Sequence, residues 1–347
     1  MLRPLLLLPG IGLAALLGGL SLGLHALQGR FLAHPPLESL VLALLLGVVF
    51  RQVFGVIPRC LPGQSFCAKQ LLEVAVLLLG ATMDVRQVVA GGPRLLIAVA
   101  LVVGISLPGG VLLSRWLFRL ERKPAVLIAV GNAICGNSAI ATVAPLIAAS
   151  TTEVAGAIAF TALLGVGLVL LLPFAIPLFG LSHSQYGVLV GLSVYAVPQV
   201  LAASYPVSEV AGQSATLVKL IRVLFLAPVA VFFSLREGVR AAADSNQAAS
   251  GNRKPRLSFR QLVPWFIAGF LVLSALRSVG LISVSVASGI KEASRLLTIM
   301  GMAALGLSVD VHALRMAGRR TAGAVLTSLL LLLGVSLLLI SGLRLGL

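Results

Sequence analysis

Apolar runs recur along the whole chain, separated by short loops that carry most of the arginine and lysine. Eleven runs are legible, at about 5–27, 36–54, 68–90, 93–117, 124–148, 153–179, 185–206, 212–234, 261–281, 288–311 and 320–344. Most are long enough to cross a hydrocarbon core of about 30 Å as a helix. Barrel strands alternate in polarity and run only about ten residues, so a membrane β-barrel is excluded. The pattern predicts an all-α polytopic membrane protein of about eleven transmembrane segments. The first run follows Arg3 like a signal peptide, but its length and the lack of a small-x-small cleavage site predict a retained helix. The stretch 236–259, rich in alanine, serine and basic residues, reads as a flexible cytoplasmic linker. It divides an N-terminal transmembrane region, 1–235, from a C-terminal one, 260–347.

Composition agrees with the pattern. Hydrophobic residues make up 59% of the chain and charged residues 10%, against about 25% charged in a soluble domain, and mean hydropathy is +1.09. A net charge of +16 raises nucleic acid as a partner. The charge sits in loops without interleaved aromatics, so no nucleic-acid partner is expected and the lipid bilayer is. Placing the N-terminus inside puts 17 lysines and arginines on the cytoplasmic side and 7 outside, which predicts N-in, C-out. The remaining two, Lys219 and Arg222, fall inside a span.

The segment LLLGATMDVRQVVAGGPR (77–94) matches AALGLSVDVHALRMAGRR (303–320) at a constant offset, pairing Gly80 with Gly306, Asp84 with Asp310 and Arg94 with Arg320. The first copy ends outside and the second inside, the parity of an inverted repeat.

Two apolar runs carry polar interruptions. The fifth reads VGNAICGNSAIATVAPLI and places Asn132, Gly136, Asn137, Ser138 and Thr142 mid-span. Irregular backbone at that depth is tolerated where protein buries it or where it lines a cavity. A discontinuous helix is expected, its inner half-helix offering N–H groups to an anion; a continuous helix packed through small residues is the alternative. The seventh run, VGLSVYAVPQVLAAS, has Ser193, Tyr195, Pro198 and Gln199 at a second break, or at an ordinary proline kink. Counting spans makes these two breaks parallel, which fits no two-fold pairing unless one segment is re-entrant.

Lys219 and Arg222 lie three residues apart on one helix face. Intramembrane cations mark substrate pathways, with snorkelling to the interface as the plainer reading. Of the ten acidic residues, Glu73 is the one inside a span; it is either a coupling group or a partner for Lys69. Asp84 and Asp310 read as helix-end residues. The three cysteines and four histidines show no metal or redox spacing, so no metal and no cofactor is expected. No catalytic constellation appears, so an enzyme is not expected.

Three stretches, GNAICGNSAIATVAPLI, ATLVKLIRVLFLAP (215–228) and MAALGLSVDVHAL (302–314), resemble the YeiH-like bacterial inner-membrane proteins, which carry a sulfate-exporter label. The resemblance spans roughly 36–344 and implies membership of the cation/proton-antiporter and bile-acid-symporter superfamily, with inverted repeats and crossed discontinuous helices. Many relatives read G-x-S-I-H-[DE]-x-A-Q-V where this chain runs from Gly191 to Val200. Tyr195 stands in place of the histidine and Ala196 in place of the acid, while Ser193 and Gln199 are kept.

Cations, two breaks and no midplane carboxylate in either break point to a secondary transporter of a small anion: a sulfate-like oxyanion, a sulfonate or a small organic acid. Asn132, Gly136, Asn137, Ser138, Thr142, Ser193, Tyr195, Gln199, Lys219 and Arg222 are the expected binding residues. The alternatives are a proton- or sodium-coupled cation antiporter using Glu73, and a non-transporting sensor or partner subunit. A homodimer is left open.

Overall fold

The computed structural model describes residues 6–31, 38–82, 92–243, 265–309, 318–343 and 345, which form helices with no strand among them. Asp84 and Asp310 lie outside the described residues. In chain order the elements begin with α1 (Leu8–Phe31), α2 (Ser39–Phe54), α3 (Pro58–Thr82) and α4 (Gly92–Trp116). Next come α5 (Arg122–Ala133), α6 (Asn137–Val143), α7 (Thr151–Phe179), α8 (His183–Ser193) and α9 (Val197–Ser204). The last are α10 (Glu209–Leu224), α11 (Leu226–Ala243), α12 (Trp265–Ser278), α13 (Val284–Leu307) and α14 (Arg319–Gly342). Among the described residues, six stretches are long and apolar enough to cross a membrane: α1, α3, α4, α7, the α10–α11 pair and α14. Leucines and isoleucines point outward, as Leu96, Ile97, Leu101, Ile105 and Leu112 do along α4. Such a face suits lipid rather than water.

The expected inverted repeat is present, and contacts carry it further than the motif. A Cβ at Gly80 would fall 2.3 Å from the Phe270 carbonyl, and one at Gly306 would fall 2.2 Å from the Leu44 carbonyl. Both partners obey one offset of 226, from 80 to 306 and from 44 to 270. Thus α3 presses on α12 as α13 presses on α2, and glycine is needed at each contact because the backbones touch. The inversion is visible in α4 and α14. Gly109 faces Leu331, Gly110 faces Ser328, and Phe118 faces Gly323, so the two helices run antiparallel.

Two of the eleven expected segments are not crossings. Lys123, at the start of α5, donates to the Ala148 carbonyl beyond the end of α6, at 2.7 Å. In one straight helix those residues would stand about 37 Å apart. Tyr186, at the start of α8, donates to the Ala203 carbonyl near the end of α9, also at 2.7 Å. Each broken segment therefore turns back on itself as a re-entrant hairpin, rather than forming a discontinuous span. This resolves the parity conflict. Both breaks had been counted as spans; as hairpins they enter from opposite ends of α7, which leaves the first mouth at Thr151 and reaches Phe179 shortly before the second. Helix α10 then runs parallel to α8, with Ala211 beside Gly187 and Ala215 beside Gly191.

The expected linker is also shortened. Helix α11 continues to Ala243, so residues 236–243 are helical. All three cysteines are free and buried.

Candidate functional site

The tips of the two hairpins meet. Helix α5 contributes twelve residues and α8 eleven, about 16–18 Å of rise each. That brings each tip to the middle of a hydrocarbon core about 30 Å thick. At the first tip the chain turns through Ile134 to Gly136, where φ is +67° and ψ −123°. A side chain there is strained by the backbone alone, and a Cβ would lie 3.1 Å from Cβ of Tyr195 on the opposite tip. At the second tip Val194 and Ala196 are extended, and Pro198 sits in the first turn of α9, where no N–H is needed.

Each tip exposes helix-end carbonyls to an apolar interior, and two buried cations satisfy them. Lys219 Nζ donates to the carbonyls of Ile134 at 2.8 Å and Val194 at 2.9 Å, one from each hairpin. Arg222 Nε donates to Ala133 at 2.8 Å. Its Nη1 reaches Gly191 at 3.3 Å and Val194 at 3.2 Å, and its Nη2 reaches Asn132. Both side chains have no exposed surface, so the snorkelling alternative fails. Neither has a carboxylate partner among the described residues. The sequence reading directed these cations at a ligand; their first task is to staple two helix C-termini, where positive charge is favourable.

Neighbouring polar groups set the register. Asn132 Nδ2 donates to the Val325 carbonyl of α14 at 3.1 Å, while its Oδ1 is buried without a partner. Thr161 of α7 donates to Asn137 Oδ1 at 2.7 Å. One turn on, a Cβ at Gly165 would fall 2.4 Å from the Gln199 amide. Gln199 Oε1 accepts the Ala196 backbone N–H at 3.2 Å, closing the first turn of α9. Helix α7 thus holds both tips, one by a hydrogen bond and one by fit. Thr161, Gly165, Tyr186 and Val325 were missed, and small or polar residues within an apolar run were the only signal at three of them.

Of the expected residues, Asn132, Gly136, Asn137, Tyr195, Gln199, Lys219 and Arg222 converge at the tips. Ser138 and Thr142 follow on the more open face of α6, and Thr142 bonds the Ser138 carbonyl at 2.9 Å. The Ser193 hydroxyl is spent on the Leu189 carbonyl of its own helix at 2.6 Å. The Tyr195 hydroxyl is buried and unpartnered. Glu73 stands apart: its carboxylate accepts from Trp265 Nε1 at 2.7 Å, and this bond, rather than one to Lys69, is its contact.

These features define a helical membrane protein built from an inverted repeat, with two re-entrant hairpins joined at their tips by buried cations. The sequence matches the family described as Conserved hypothetical protein 698 over residues 9–325, and the chain belongs to that family. Similar curated proteins include several named UPF0324 membrane proteins. The one from Bradyrhizobium diazoefficiens is 48% identical, over 96% of this chain and 92% of its own. One from Brucella melitensis is 46% identical over 95% and 89%. A more distant relative from Bacillus cereus is 34% identical over 90% and 87%. No solved structure matches.

Proposed function

We propose that the protein is a secondary transporter of a small anion, working by alternating access across the bacterial inner membrane. The observation that carries this reading is the tip junction, with two buried cations and no carboxylate partner among the described residues. Each hairpin brings one helix C-terminus and one N-terminus to the junction, so the helix dipoles offset one another. The two side-chain charges remain, and an anion offsets them at a depth where uncompensated charge is costly. The N-terminal turns of α6 and α9 supply N–H groups, and Asn137, Ser138 and Thr142 offer neutral contacts along a more open face. Withdrawal of one tip from the other opens the centre to one side of the membrane. The substrate class is a sulfate-like oxyanion, a sulfonate or a small organic acid.

The reading places the N-terminus inside and the C-terminus outside. Turning two spans into hairpins leaves the 17-to-7 distribution of lysine and arginine unchanged, because the loops between them carry neither residue. The antiporter alternative built on Glu73 is less well supported, since that carboxylate lies away from the tips on Trp265.

The test is a thermal-shift screen of detergent-purified protein against sulfate, sulfonates and small organic acids, followed by flux of any hit in proteoliposomes. A ligand that binds the folded state raises apparent stability, by about 2.7 kcal/mol at a hundred times its Kd. If no anion shifts the melt and none crosses, the proposal is wrong.

A further inference from the structure

A second feature lies away from the hairpin tips. Helices α4, α5 and α11 leave between them a groove of about 850 Å³. Its two ends differ in chemistry. At one end stand Arg115, Arg119, Arg122 and Arg236, brought together by the last turn of α4, the loop after it, the first turn of α5 and the end of the apolar part of α11. Among the described residues no acidic side chain lines the groove. Towards the other end the lining is apolar, through Val111, Leu107 and Val103 of α4 and Val229 and Phe233 of α11. From Val103 to Trp116 the lining follows α4 over fourteen residues, about 20 Å of rise. That is roughly the depth of one leaflet with its headgroup layer.

We propose that this groove binds an anionic phospholipid, with its phosphate among Arg115, Arg119 and Arg236 and an acyl chain along α4. Charge complementarity selects the headgroup, since guanidinium forks match phosphate oxygens. The apolar extension selects a lipid over a free anion, because a soluble phosphate would leave most of the lining unused. The groove also stands where such a lipid resides. Trp116 is 78% exposed beside the arginines, the position an indole takes at a membrane interface. Arg236 lies over the Phe232 ring at 5.9 Å, which holds its guanidinium at the mouth. The arginine end belongs to the face read as cytoplasmic, the leaflet side whose anionic lipids attract basic clusters. A lipid seated there rests against Arg122 and Val126 of α5, the first limb of the first hairpin, so its occupancy bears on how that hairpin moves.

The chain has two tryptophans, and Trp265→Phe leaves Trp116 as the only one. In that background, phosphatidylglycerol carrying brominated acyl chains is titrated into mixed micelles and Trp116 fluorescence is read. Saturable quenching is expected at a mole fraction at least about fivefold lower than for brominated phosphatidylcholine. The combined Arg115→Gln, Arg119→Gln and Arg236→Gln variant is expected to bring the two lipids within about twofold, and ~1 M salt is expected to do the same to the parent. Inorganic phosphate at millimolar concentration is expected to leave the quenching unchanged. Equal quenching by the two lipids, a preference that survives the arginine changes or salt, or displacement by inorganic phosphate would each overturn the proposal. The readout is independent of transport, so it stands or falls apart from the anion reading.

Discussion

Replacing Arg222 by lysine separates the charge at the hairpin junction from its geometry. The substitution keeps one positive charge at the same depth, so the electrostatic cost of burial changes little. What it removes is the planar fork. Arg222 serves Ala133 and Asn132 on one tip through Nε and Nη2, and Gly191 and Val194 on the other through Nη1. A shorter ammonium at this position cannot reach all four carbonyls, and Lys219, already bonded to Ile134 and Val194, relieves it only of Val194. Two carbonyls are therefore left without a donor in an apolar interior. At about 1–3 kcal/mol for each stranded group, the loss is about 2–6 kcal/mol. At roughly 2–4 °C per kcal/mol, the apparent melting temperature in detergent is expected to fall by about 5–20 °C. Intrinsic fluorescence during heating measures it. A melt within about 1 °C of the unmodified protein would refute the staple role, because it would mean the carbonyls need no fork.

Gly136→Ala forces a side chain into a left-handed conformation against Tyr195, and a destabilisation of about 2–4 kcal/mol is expected in the same melt. Tyr186→Phe removes the bond that closes the second hairpin at Ala203, with an expected cost of about 0.5–1.5 kcal/mol. Tyr195→Phe deletes a buried hydroxyl that has no partner, so stability is expected to hold or rise; a clear loss would reveal a contact absent from this arrangement. Cysteines placed at Ser150 and Ser208, at the mouths of the two hairpins, are expected to label with membrane-impermeant thiol reagents from opposite sides. Labelling of both from one side would contradict the inverted arrangement.

The sequence alone determined the class and much of the site. Lipid-length apolar runs allow little else than membrane helices, because every backbone group must be satisfied within the segment. The glycine-asparagine pairs and the proline mark the breaks, and Lys219 and Arg222 are conspicuous because charge is rare at that depth. The repeat was also legible, in one motif and its offset.

Tertiary structure decided whether a broken segment crosses or returns. A helix break shows in residue preferences, but the direction after it depends on what the second limb packs against: Lys123 meeting Ala148, and Tyr186 meeting Ala203. The role of the cations was hidden for the same reason. Their partners are backbone carbonyls 85–90 and 25–31 residues away, and a carbonyl leaves no mark on the sequence that carries it. Residues such as Thr161 and Gly165 gain meaning only because α7 packs against two tips it does not itself encode.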